Sequence, residues 1–159
     1  MVVGSASPLP PPTSTRSVPS GDRAAEHLVI VVDASVLANA LADDDVDGDT
    51  ARRQLRAARD VAAPDLVDVE TVSVLRKRWL RQTLTDQRFA TAVRHLHELG
   101  FERVPTLGLM QRAFELRANV SAYDACYVAL AERLGCELLT GDQRLATAIG
   151  PRCPIRVLR

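Results

Sequence analysis

Asp33, Glu70, Asp124 and Asp142 are the residues whose types and surroundings point to chemistry. Asp33 directly follows the apolar run Leu28 to Val32, and Asp142 follows Glu137-Leu138-Leu139-Thr140-Gly141, so both stand just past a candidate strand. Open α/β sheets bind their ligands at the carboxyl ends of strands. Glu70 has Leu66 and Val74 four residues to either side and Val67 three before it, an apolar helical stripe. A carboxylate on such a face costs several kcal/mol unless a cation or hydrogen-bond donors compensate it. Asp124 repeats the pattern, with Val128 and Ala131 at i+4 and i+7. Each acid also has an ordinary structural role open to it. Asp33 and Asp142 suit helix N-caps, Ser121 and Asp124 have the spacing of a capping box, and an arginine could neutralise Glu70. Four acids gathered at strand ends and inward helix faces point instead to a shared cation. Oxygen-only ligands favour Mg²⁺, with Mn²⁺ as the alternative, over zinc. Ser35 and Thr140 add hydroxyls that can support the site. His95 and His97 lie on a separate helix and are read as surface residues.

The elements that must position these acids follow from the hydrophobic pattern. Leu28 to Val32 reads as a strand, followed by a short helix through Leu37 and Leu41 and an acidic loop from Asp43 to Asp49. Helices are expected over Thr50 to Arg59, Asp65 to about Gln82, and from a Thr85 cap to Gly100. Two more run from Leu107 to Ala118, closed by Asn119, and from Ser121 to Leu134, closed by Gly135; a short one spans Gln143 to Ile149. Strands are expected at Val61 to Pro64, Phe101 to Pro105, Glu137 to Thr140 and Ile155 to Leu158. Short apolar strands alternating with helices predict an α/β domain over residues 28–158, with a parallel sheet covered on both faces. Residues 1–26 carry Pro8, Pro10, Pro11, Pro12 and Pro19 among Ser, Thr and Gly, without periodicity, and read as a disordered tail.

Composition narrows the class. A chain of 159 residues, 47% hydrophobic and 25% charged, suits one soluble domain. No apolar stretch approaches the ~20 residues of a membrane span, and no basic segment leads into an apolar core as a secretory signal requires. Three cysteines without CxxC or Cys/His spacing fit reduced thiols in a cytoplasmic setting. The net charge of zero neither marks a nucleic-acid binder nor excludes one. Local basic residues matter more: Arg76, Lys77, Arg78 and Arg81 follow Glu70, and Arg112 and Arg117 precede Asp124. All six are candidate phosphate contacts, although cations near a helix C-terminus also answer the dipole.

Four segments carry a family resemblance: Val-Val-Asp33-Ala-Ser35-Val-Leu, Val-Asp-Val-Glu70-Thr-Val, Ser121-Ala-Tyr-Asp124-Ala-Cys-Tyr-Val-Ala-Leu-Ala131 and Leu-Leu-Thr140-Gly-Asp142-Gln-Arg-Leu145. In order and spacing they resemble the PIN-domain family, and within it the VapC-type toxins, over roughly residues 28–158. The resemblance implies a three-layer α/β/α sandwich and a Mg²⁺-dependent endoribonuclease that leaves 5′-phosphate and 3′-hydroxyl ends. It further implies a homodimer held in check by a VapB-type antitoxin. Carried across, Asp33, Glu70, Asp124 and Asp142 become the metal-holding and catalytic acids. The expected helices on either side of Thr85 offer an apolar groove, Trp79 included, for the antitoxin.

Other readings stay open. A phosphoacceptor domain needs a late lysine, and Lys77 is the only lysine. A dehalogenase-type phosphatase needs an aspartate where Ser35 stands. The remaining alternatives are a PIN nuclease of RNA processing or DNA repair without an antitoxin, and a non-catalytic metal- or RNA-binding module.

Overall fold

The computed structural model describes residues 29–158. The proline-rich stretch 1–26 lies outside the described residues. Five strands, β1 (Val29–Val32), β2 (Asp60–Pro64), β3 (Glu102–Val104), β4 (Glu137–Thr140) and β5 (Ile155–Val157), form one sheet in the order β3-β2-β1-β4-β5. Every neighbouring pair is parallel. From β1 the chain winds outward through β2 to β3, then crosses back to β4 and β5. The winding direction therefore reverses between β1 and β4, and that switch point opens a crevice at their carboxyl ends. Register places Val32 opposite Leu139. The Asp33 amide then donates to the Leu139 carbonyl at 3.1 Å, so Asp33 and Asp142 emerge from adjacent strands at one edge.

Helices cover both faces. α1 (Ala34–Ala42) packs with α2 (Val46–Ala57), α3 (Val67–Leu80) and α4 (Asp86–Glu98). On the other side α5 (Met110–Leu116) packs on α6 (Ala122–Leu134), and α6 lies against β1, β2 and β4. The short α7 (Gln143–Ala146) joins β4 to β5. Val31, Val32, Leu138 and Leu139 are buried without exposure, as the continuous apolar runs of a doubly covered sheet require. No helix among the described residues is long and apolar enough to cross a membrane.

Three elements differ from the sequence expectation, the shortest being the helix expected over Gln143 to Ile149, which ends at Ala146. The acidic stretch expected as a loop to Asp49 already contains the first turn of α2. Asp45 caps that helix by accepting from the Asp47 and Gly48 amides, and Asp47 and Asp49 answer its dipole. Gly48 is required there, because a Cβ would sit 2.1 Å from the Asp43 carbonyl oxygen. The helix expected over Leu107 to Ala118 divides into a 3₁₀ turn (Thr106–Leu109) and α5. Pro105 and Gly108, both poor helix formers, flank and interrupt that first turn.

Candidate functional site

Asp33 is both helix cap and cleft residue. Its Oδ1 accepts from the Ser35 amide at 3.0 Å, the Ser35 hydroxyl at 2.6 Å and the Val36 amide at 3.1 Å, which starts α1. Its Oδ2 accepts from the Thr140 hydroxyl. Those hydroxyls also bind the other strand end. Ser35 Oγ accepts from the Gly141 amide at 2.7 Å, and Thr140 Oγ1 accepts from the Asp142 amide at 2.9 Å. Gly141 has to be glycine for this closeness, since a Cβ would lie 2.8 Å from Ser35 Oγ. Ser35 and Thr140 thus fix two acids at once.

Glu70 projects from α3 and is held by the Tyr127 hydroxyl, which donates to Oε2 at 2.6 Å from α6. Tyr127 is itself 1% exposed, so the carboxylate is anchored from the core. Asp124 sits in the first turn of α6. The N-cap half of the capping-box alternative is realised there: Ser121 Oγ accepts from the Asp124 amide at 3.2 Å, while Asp124 Oδ2 accepts from the Ser121 hydroxyl at 2.7 Å. Asp142 caps α7 and pairs with Arg144 at 2.9 Å.

All four acids line one cleft of about 390 Å³, together with Ser35, Tyr127, Lys77 and Arg144. Four carboxylates face two cations there. Burial pushes the Asp33 carboxyl above its usual range, against the opposing hydrogen bonds from Ser35 and Thr140. Glu70 is raised as well, by burial and by the charges of Asp124 and Asp33, with the Tyr127 hydrogen bond opposing. Asp142 moves the other way, lowered by the hydrogen bond from Arg144. The donor set is all oxygen, as a hard divalent cation requires. Among the described residues no three such side chains already close on one point. Three of the acids are already engaged: Thr140 donates to Asp33, Tyr127 to Glu70 and Arg144 to Asp142. By donor type, the four carboxylates of this one cleft fit a hard divalent cation.

The candidate phosphate contacts are dispersed. Only Lys77 lines the acid cleft, at helical spacing from Glu70 on α3. Arg78 instead donates to Asp43 at 2.9 Å and to Asn39, clamping α3 to α1. Arg76 borders a separate groove with Trp79, Phe89 and Val93. Arg81 is exposed at the end of α3. Arg117 lies over the Phe114 ring at 4.0 Å, and Arg112 is locked onto Glu132 at 2.7 Å. Neither Arg144 nor Tyr127 was among the candidates the sequence singled out. The signals available were their short spacings, two residues after Asp142 and three after Asp124.

Comparison with known proteins places this arrangement. The PIN domain family matches residues 30–149. A VapC ribonuclease of Mycobacterium bovis, Mb0985, is 44% identical over 130 residues, covering 82% of this chain and 98% of the relative. The chain belongs to the PIN-domain family, and within it to the VapC ribonucleases. PIN-domain nucleases in general depend on divalent metal. In fold the chain is similar to the crystal structure of VapC20 from Mycobacterium tuberculosis, described as a sarcin-ricin loop cleaving toxin. That likeness has a TM-score of 0.58 at 23% identity, covering 74% of this chain and 93% of the other. VapBC2 from Rickettsia felis, bound to a DNA fragment from its promoter, has a TM-score of 0.59 at 11% identity and covers 82% and 99%.

Proposed function

We propose that the protein is a Mg²⁺-dependent endoribonuclease, the toxin of a VapBC-type pair, which hydrolyses RNA phosphodiesters in the cytoplasm and so inhibits translation. The observation that carries this is the single cleft into which four separate segments bring Asp33, Glu70, Asp124 and Asp142. These acids would hold the cation, Mg²⁺ or Mn²⁺, with Ser35 and Thr140 orienting Asp33 and Tyr127 orienting Glu70. When bound, the ion supplies the positive charge that polarises a phosphodiester and the water that attacks it. The chain's own part is to hold ionised oxygens together and to fix their positions through buried hydroxyls. Lys77 offers a cation to the substrate phosphates from α3. The RNA is a transfer or ribosomal species, cut within a single-stranded loop whose exposed bases can be reached.

The partner is a VapB-type antitoxin. The groove between α3 and α4, about 530 Å³ and lined by Trp79, Phe89 and Val93, supports an amphipathic segment docking there. A second copy is supported by Leu107, Met110 and Phe114, which repeat at i, i+3 and i+7 with Leu107 85% and Phe114 61% exposed. Sequencing of RNA 5′ ends after induction tests the function directly. The wild type should create new 5′-phosphate ends within one RNA class, and Asp33→Asn should not. Identical end profiles would remove the ribonuclease reading.

A further inference from the structure

Arg144 stands where two hollows meet. The acid cleft and a neighbouring hollow lined by Asn119, Ser121 and Leu145 share Asp124, Asp142 and Arg144, so the two form one trough with the arginine on its lip. Its guanidinium makes a two-point pair with Asp142, Nε to Oδ1 at 3.2 Å and Nη2 to Oδ2 at 2.9 Å. The side chain is nevertheless 92% exposed. An ion pair that open to water contributes little and exchanges readily. By contrast Arg78 and Arg112 are anchored to carbonyl or amide groups as well as to acids. Among the described residues Arg144 has no such anchor beyond Asp142, two residues from it in the chain.

Resting on the ribonuclease reading above, we propose that Arg144 is a phosphate-positioning residue, held on Asp142 in the free protein and transferred to an RNA phosphate beside the scissile one. The exchange follows from charge. With a divalent cation held at Asp142, the guanidinium would lose its carboxylate partner and be left to pair with another anion. An RNA backbone entering the trough supplies one at bidentate geometry. The neighbouring hollow, with Ser121 and Asn119 beside apolar Val120, Leu145 and Ala148, then takes the adjoining nucleotide.

Such a residue has effects of opposite sign on the two ligands. Arg144→Gln should tighten Mn²⁺ binding about threefold in the absence of RNA, read by electron paramagnetic resonance, because a competing cation is gone. The same variant should raise KM for RNA about tenfold and lower the magnitude of its salt slope by about 0.7, the loss of one phosphate contact on a single strand. Arg144→Lys, which keeps the charge, should restore most of the salt slope while KM stays raised, since the two-point grip is lost. If Arg144→Gln leaves Mn²⁺ affinity and KM both unchanged in an enzyme that cuts RNA, Arg144 has no such role. Weakening of both ligands together also overturns it, since that marks a scaffold residue. A wild-type protein that cuts no RNA under any divalent cation overturns the underlying ribonuclease reading instead, while the Mn²⁺ measurement still reports on the pairing.

Discussion

The two ends of β4 carry charge in opposite ways. At the amino end, a cavity of about 530 Å³ contains Arg112, Glu132, Arg133 and Arg152 beside Cys136 and Cys153. Arg112 donates to Glu132 at 2.7 and 3.1 Å, to Glu115 at 2.9 Å and to the Gly150 carbonyl at 2.9 Å, and the Arg152 amide donates to Glu132 at 2.7 Å. Burial alone would raise Glu132, but these donors outweigh it and hold the carboxyl below its usual range. At the carboxyl end the cleft is smaller, about 390 Å³, yet its buried Asp33 and half-buried Glu70 are raised. The larger hollow is the one whose carboxylate is already answered by donors. An unmet carboxylate, not volume, marks where a cation is needed.

The contrast breaks most sharply on the acids themselves. Asp33→Asn and Asp124→Asn should each lower the rate of RNA cleavage by about 10³-fold, measured as initial rates in Mg²⁺, since each removes charge from a preorganised electrostatic site. Rates within threefold of wild type would dissolve the distinction between the two ends. Next in size is Arg112→Ala. It should leave cleavage unchanged while lowering stability by about 2 kcal/mol in a denaturant titration, because Glu132 is left partly buried without its main partner. Loss of cleavage without loss of stability would return Arg112 to the RNA contacts.

Glu70→Gln sharpens the comparison through pH. Glu70 carries a folded pKa above its ordinary 4.5, so the cation-free fold loses stability as pH rises from that value through the raised one. Glutamine keeps an acceptor for the Tyr127 hydroxyl and cannot ionise. The variant should therefore melt a few degrees higher than wild type at pH 7 without divalent ions, and the gap should close as pH falls below about 4. Adding Mg²⁺ should stabilise the wild type more than the variant. A variant that melts lower at pH 7 and higher in acid would reverse the sign and refute the cost of holding Glu70 ionised, partly buried and beside Asp124 and Asp33. The smallest effect belongs to Tyr127→Phe, which should weaken Mn²⁺ binding several-fold by freeing the Glu70 carboxylate, with little change in global stability.

The sheet, its parallel sense and the strand-following positions of Asp33 and Asp142 were legible because they depend on local pattern: apolar runs, then an acid. Glu70 was legible as an acid on an apolar stripe. The arginines were not. Arg78 finds Asp43 at a separation of 35 residues and Arg112 finds Glu132 at 20, pairings that no local spacing encodes. The start of α2 was hidden because three consecutive acids, Asp43 to Asp45, resemble a solvated loop until Asp45 is seen to cap the next turn. The anchoring of Glu70 by Tyr127 joins α3 to α6 across 57 residues and became visible only in three dimensions.

A Mn²⁺ titration of the wild type and Asp33→Asn, followed by electron paramagnetic resonance without RNA, probes the shared acid cleft most directly. The wild type should bind the ion saturably at this cleft, and Asp33→Asn should bind it at least tenfold more weakly. Equal affinity in the two proteins, or no saturable binding by the wild type, would contradict a common cation site.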